Sequence, residues 1–138
     1  MADVHSKETR SYNMSRIRSK DTKPEMLVRK FLHKNGFRYR LHVKDLPGKP
    51  DIVLPKYKTV IFVHGCFWHG HEGCRYFILP KSNEGYWHPK IQKNISKDQN
   101  NKAMLSIKSW KSVTVWECQL KRDSMHQTLT ELLGTLKN

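Results

Sequence analysis

One stretch constrains this chain more than any other: Thr59 to Cys74, TVIFVHGCFWHGHEGC. It opens as an apolar β-type run, Val60 to Val63, and turns abruptly into three histidines and two cysteines. Gly65, Gly70 and Gly73 supply the tight turns that such a loop needs. A strand that delivers polar ligands at its end builds a rigid metal or catalytic site. Whatever the fold, it must hold this strand centrally and keep its outer end accessible.

The rest of the chain sets the bounds. Its 138 residues make one domain with room for its own core. The mean hydropathy is −0.74, and the longest apolar run is four or five residues, too short to span a membrane. MADVHSKETR lacks the apolar segment of a secretory signal, so the expected location is cytoplasmic. With 26 Lys and Arg against 12 Asp and Glu, the net charge is +14. A surplus of that size in a small domain points to a polyanion, most often nucleic acid; a surface made basic for solubility is the plainer account. Cys66, Cys74 and Cys118 are an odd number, which favours metal ligation or free thiols over a disulfide framework.

In chain order, residues 1 to 20 form a polar, basic arm, and residues 21 to 138 a single domain. Met14 and Ile17 are the arm's apolar pair, three apart, suited either to a partner or to a staple onto the core. Asp21 or Thr22 caps a helix with Pro24 and Glu25 in its first turn, Met26, Leu27, Phe31 and Leu32 on its apolar side and Gly36 as its stop. On spacing alone Glu25 is an ordinary first-turn acid. Phe37–Val43, Asp51–Leu54 and Thr59–His64 read as strands, the last two a hairpin. Residues 86 to 109 read as a helix with a polar middle and apolar spots at Ile91, Ile95, Leu105 and Ile107. Val113–Trp116 is a further strand. A last helix from Asp123 or Ser124 packs Met125, Leu129, Leu132, Leu133 and Leu136. This order implies an α/β fold, a central mixed sheet flanked by helices.

Two constellations carry chemistry. Asp51 opens one arm of the hairpin and His64 closes the other, the skeleton of a magnesium site for phosphodiester cleavage. In the PD-(D/E)xK nucleases the second strand carries an acid, one residue, then lysine. Here Phe62, Val63 and His64 stand there, so the pattern is broken and a solvated turn aspartate is the competing account. The second set is Cys66, His71, Cys74 and Cys118: one histidine and three cysteines that suit tetrahedral structural zinc, or else unrelated buried cysteines.

HGCFWHGH, with PGKPD, Glu25, KNISKD and VWEC, closely resembles the very-short-patch repair (Vsr) endonucleases over nearly the whole chain. The resemblance implies a fold similar to type II restriction endonucleases. It also implies a Mg²⁺-dependent enzyme that nicks one strand 5′ to the thymine of T·G mismatches left by 5-methylcytosine deamination. Asp51 and the carbonyl of Val63 would bind magnesium, with Glu25 acting through metal-bound water. His64 would stand near the scissile phosphate, and His69, oriented by Asp98, would be the general base or acid. Cys66, His71, Cys74 and Cys118 would hold structural Zn²⁺.

The same resemblance sends Phe67, Trp68 and Trp87 into the base stack from the major groove and Met14 and Ile17 in from the minor groove. Lys90 and Asn94 would read the mismatched pair. Partners would be T·G-mismatched DNA, a MutL-type repair factor and a DNA polymerase, in a nucleoid-associated setting. Each residue has a plainer role too: core capping for Phe67, Trp68 and Trp87, and solvation for Asp98. His5, His33, His42, His88 and His126 match no motif position and read as surface or satisfied residues. Gly70 stands where some relatives carry histidine. A restriction-type endonuclease, or a non-cleaving zinc-stabilised DNA-binding module, would share the fold.

Overall fold

The computed structural model describes residues 22–75, 77 and 84–137. Met14, Ile17 and Asp21, and with them the expected arm, lie outside the described residues.

The first helix, α1 (Lys23–Lys34), starts at Thr22, whose hydroxyl accepts the Glu25 N–H at 3.4 Å. It stops at Asn35, and Gly36 follows at φ 81°. The chain then forms β1 (Arg40–Leu41), β2 (Ile52–Leu54), a 3-10 turn (Pro55–Tyr57) and β3 (Thr59–His64). Helix α2 (Glu84–Ile107), β4 (Lys111–Trp116), a second 3-10 turn (Glu117–Leu120) and α3 (Met125–Lys137) complete it.

The strands make one mixed sheet in the order β1-β2-β3-β4. β1 and β2 pair antiparallel, as do β2 and β3, whereas β3 and β4 are parallel, with His64 opposite Trp116. A parallel pair needs a long crossover, and the zinc-type loop and α2 supply it.

Alternation along the strands sorts the core into two faces. Ile52, Leu54, Ile61 and Val115 pack with Val28 and Leu32 of α1 and with Leu129, Leu132 and Leu136 of α3. Val53, Val60 and Phe62 face the other way, onto Leu105 of α2. The sheet is therefore sandwiched, and His64, in phase with Val60 and Phe62, stands on the α2 side.

Some expectations fall short. The strand expected over Phe37–Val43 shrinks to Arg40–Leu41, because the backbone turns left-handed at His42 (φ 51°). Ile107 is 83% exposed: it ends α2 just before the reversal at Ser109 (φ 67°), and the core contact falls to Leu105 instead. The last helix begins at Met125, slightly later than expected, with the anticipated stripe intact.

Candidate active site and metal centres

The sheet's β3 end gathers the chemistry. Asp51, just before β2, reaches across the hairpin, and its Oδ2 accepts the Val63 N–H at 2.8 Å. Burial is the main reason its carboxyl is raised to about 6, with Glu25 adding repulsion; the Val63 N–H, His42 and His69 work the other way. A carboxylate costly to ionise in a dry site is suited to a cation.

Glu25 is far from an ordinary first-turn acid. It is 1% exposed, and its carboxylate meets His42 Nε2 at 3.1 Å and Arg29 Nη1 at 3.4 Å. The ligand atoms of Glu25, His42 and Asp51 all lie within 4.8 Å of one another, a spacing that can hold a metal ion. His42, read from the sequence as a surface or satisfied residue, thus joins the acids. No local signal marks it; its position one step past the Leu41–Ile52 pair puts it across from Asp51, whose carbonyl accepts its N–H at 3.2 Å.

A second group lies where β3 meets α2. His69 Nδ1 and Asp98 Oδ2 are 2.7 Å apart, so Asp98 is a paired carboxylate rather than a solvated charge. The ring of His69 stacks on that of His64 at 3.8 Å, within 4° of parallel. His64 is 4% exposed; burial first, then repulsion from His69, pull its pKa down to about 3. It is therefore a neutral imidazole at ordinary pH, able to hydrogen-bond but not to lend a charge. The Asp98 contact selects the His69 tautomer with its proton on Nδ1 and leaves Nε2 as an acceptor. A cleft of about 240 Å³ opens beside the pair, lined by His64, His69, Asp98 and Lys102 among others.

Gly70 makes this approach possible. At φ +59° it lets the loop press onto α2, where an added Cβ would lie 2.6 Å from Ile95 Cδ1 and 2.9 Å from Ile91 Cγ2. Close contact there brings the neighbouring His69 to Asp98.

Cys66, His71, Cys74 and Cys118 converge as a third group, their ligand atoms within 4.8 Å of one another. His71 Nδ1 and Cys118 Sγ are 3.4 Å apart, near the roughly 3.5 Å that separates N and S ligands on tetrahedral zinc. Cys118 arrives on the 3-10 turn after β4, and its N–H points at Cys66 Sγ at 3.3 Å. Burial pushes the Cys66 thiol up to about 12 and raises Cys118, while it lowers His71. Thiols this reluctant to ionise need a strong local cation to become thiolates, and a neutral His71 is the form that ligates. The donors fit zinc, with all four positions filled by protein. Trp116 fixes the His71 ring by stacking at 4.0 Å.

Phe67, Trp68 and Trp87 meet as one cluster, each pair 5.3–5.4 Å apart between centroids. Phe77 and Tyr86, not singled out in the sequence, extend it. Lys90 Nζ sits 5.4–5.8 Å from the rings of Tyr86, Trp87 and Trp68. Asn94 donates to the Trp68 carbonyl at 2.8 Å, tying α2 to the aromatic loop. A wider groove of about 370 Å³ lies on α1, lined by Arg29, Lys30, His33 and Lys34 among others; no acid is among its described lining residues, and it suits a polyanion's backbone.

A mixed α/β sheet with clustered acids and imidazoles at one edge, on a strongly basic chain, has the makings of a nuclease. A family model described as DNA mismatch endonuclease Vsr matches residues 2–75. The chain is 42% identical over 135 residues to DNA mismatch endonuclease Vsr of Escherichia coli (strain K12), covering 96% of this chain and 86% of that one. It is 54% identical over 120 residues to Type II nicking enzyme V.XorIIP of Xanthomonas oryzae pv. oryzae, covering 87% and 88% of the two chains. To Type II nicking enzyme V.NmeAIP of Neisseria meningitidis serogroup A it is 48% identical over 139 residues, covering 100% and 99%. The chain belongs to the Vsr family.

Proposed function

We propose that this protein is a Mg²⁺-dependent endonuclease that nicks one strand of DNA 5′ to the thymine of a T·G mismatch. The deamination of 5-methylcytosine is the source of such lesions. The observation that carries the reading is His69, fixed by Asp98 at 2.7 Å and stacked on His64. An oriented imidazole beside a half-buried acid suits water-driven phosphodiester cleavage. Family membership, and the names of the relatives, supply the substrate class.

Asp51, with the carbonyl of Val63, would hold the magnesium, whose part is to polarise the phosphate and offset its developing charge. The Val63 N–H holds one Asp51 oxygen in place, leaving the other for the ion. Glu25 would support the site through water. His69 Nε2 takes the proton of the attacking water or gives one to the leaving oxygen, while Asp98 stabilises the charged ring. His64, neutral, hydrogen-bonds at the scissile phosphate. Cys66, His71, Cys74 and Cys118 would bind zinc and so anchor the loop that carries His69, Phe67 and Trp68.

Phe67, Trp68 and Trp87 would leave their mutual contacts to stack with the unpaired bases, and Met14 and Ile17 would wedge from the other groove. Lys90 would read the mismatch. Asn94, already bonded to Trp68, would hold the aromatic loop as well as face the pair. No helix among the described residues is long and apolar enough to cross a membrane. A cytoplasmic setting, on DNA, would suit the activity of the family. A MutL-type factor and a DNA polymerase would act with or after it.

The test is nicking of T·G against matched duplex, with and without Mg²⁺. A single nick confined to the T·G duplex and dependent on metal is the expected result. Cleavage of both strands of matched DNA would point to a restriction-type enzyme, and binding without cleavage to a DNA-binding module.

A further inference from the structure

Resting on the magnesium-site reading above, we propose that His42 is a further protein ligand of that site, with Glu25 beside it ligating directly rather than through water, and that this nitrogen donor tilts the site toward Mn²⁺ and later first-row ions over Mg²⁺. Two distances converge on it. The His42 Nε2 and Glu25 Oε2 atoms are 3.1 Å apart. Neighbouring ligands on an octahedral ion with bonds of 2.0–2.1 Å are separated by roughly 3.0 Å, so this pair spans one edge of such a shell. The ligand atom of Asp51 lies within 4.8 Å of both, near enough to close the set around one ion.

The backbone is shaped for the same end. His42 takes a left-handed φ of 51°, uncommon for a residue with a Cβ, directly after the two-residue β1. Strain of this kind persists where surrounding structure holds it, and it concentrates at binding sites. Here the His42 N–H is anchored on the carbonyl of Asp51 itself, so acid and imidazole move as one unit. The side chain is 24% exposed, but its Nε2 is buried and turned toward the Glu25 carboxylate.

Ligand chemistry then sets the preference. Mg²⁺ favours oxygen donors and keeps its waters, whereas first-row transition ions accept imidazole more readily, with affinity lowest at Mn²⁺ and rising along the row. A carboxylate–carboxylate–imidazole set therefore discriminates by metal type where an all-oxygen set would not. His42 needs no role in proton transfer for this.

The experiment uses the zinc-loaded full chain. Mn²⁺ binding is followed by electron paramagnetic resonance, Mg²⁺ by competition, and nitrogen coupling to the bound Mn²⁺ by pulsed spectroscopy. His42→Asn is the variant, because asparagine tolerates the left-handed backbone while its amide is too short to replace the ring. The expected result is imidazole coupling in the wild type that is lost in His42→Asn. Mn²⁺ affinity should fall at least tenfold and Mg²⁺ affinity less than threefold. A wild type without nitrogen coupling overturns the proposal without reference to any variant. Equal losses for the two metals, or none, also overturn it and leave His42 as a partner of Glu25 only. Asp51→Asn separates the two levels: if it leaves Mn²⁺ binding intact, the magnesium-site reading itself fails; if it abolishes binding while His42→Asn does not, only the role of His42 falls.

Discussion

The imidazoles of His64 and His69 lie face to face, 3.8 Å apart, although one ends a strand and the other belongs to a glycine-rich loop. One of the two is bonded to Asp98, and the other is held neutral by burial. Two similar rings are thus given unlike tasks by their surroundings.

This asymmetry makes a kinetic prediction. His69→Ala should slow single-turnover nicking of a T·G duplex by roughly 10²–10⁴-fold, the usual worth of a general acid–base group. Asp98→Asn should show a similar loss, since an amide can stabilise the wrong tautomer and cannot stabilise the charged ring. Rapid-quench measurements at saturating enzyme separate these losses from binding. Wild-type rates in either variant would remove the pair from the chemistry.

Asp51 ties stability to pH. In magnesium-free protein its carboxyl titrates near 6 in the folded state against an ordinary 3.8. Between those values the folded chain holds a proton that the unfolded chain has lost, so this group's contribution to stability falls as pH rises. Asp51→Asn removes the buried charge while keeping an oxygen for the Val63 N–H. The variant should gain about 1–2 kcal/mol on wild type at pH 8 relative to pH 5, after allowance for solvent screening. Urea melts at both pH values measure this. Nicking by the same variant should vanish while T·G binding persists.

Cys118→Ser should release zinc and lower the melting temperature, because structural zinc contributes folding free energy directly. Elemental analysis and thermal melts check it. A fully folded protein without zinc would contradict the assignment.

Gly70→Ala tests the packing that brings His69 to Asp98. Its Cβ would press on Ile95 and Ile91, whose side chains must shift to admit it, and the φ of +59° is unfavourable for alanine. A loss of about 1–3 kcal/mol is expected from overpacking and backbone strain. The nicking rate of the folded fraction should fall with it. Denaturant melts paired with single-turnover rates provide the comparison.

Mismatch discrimination should reside in the aromatic cluster. Opening base steps costs a few kcal/mol, and aromatic stacking returns roughly 1–3 kcal/mol per base. Trp68→Ala should therefore lose much of the preference for T·G over matched duplex. The salt-dependent, nonspecific affinity comes from Lys and Arg on phosphates and should hardly change. Competition binding at fixed salt on both duplexes decides it. A preference that survives while both affinities drop equally would make these rings packing residues.

Local chemistry was readable directly from the residues. Thr59–His64 is a strand by its apolar run, α1 is bounded by Thr22 and Gly36, and the stripe from Met125 to Leu136 packs as its spacing implies. Cys66, His71 and Cys74 suggested a zinc-type set because that chemistry needs few residue types at short spacing, with Cys118 brought in by β4. Contacts between distant segments were another matter. Glu25 looked like a first-turn acid until His42 and Asp51 came beside it, and His42 carried no signal at all. Phe77 and Tyr86 joined the aromatic cluster only through the meeting of loop and helix. Periodicity reports what each segment buries, since that depends on residues three or four apart. Which polar groups converge depends on chain reversals, such as the left-handed turn at His42, and on the parallel pairing that sets β3 beside β4. Those are properties of the assembled sheet, where burial and neighbouring charge give otherwise ordinary side chains their chemistry.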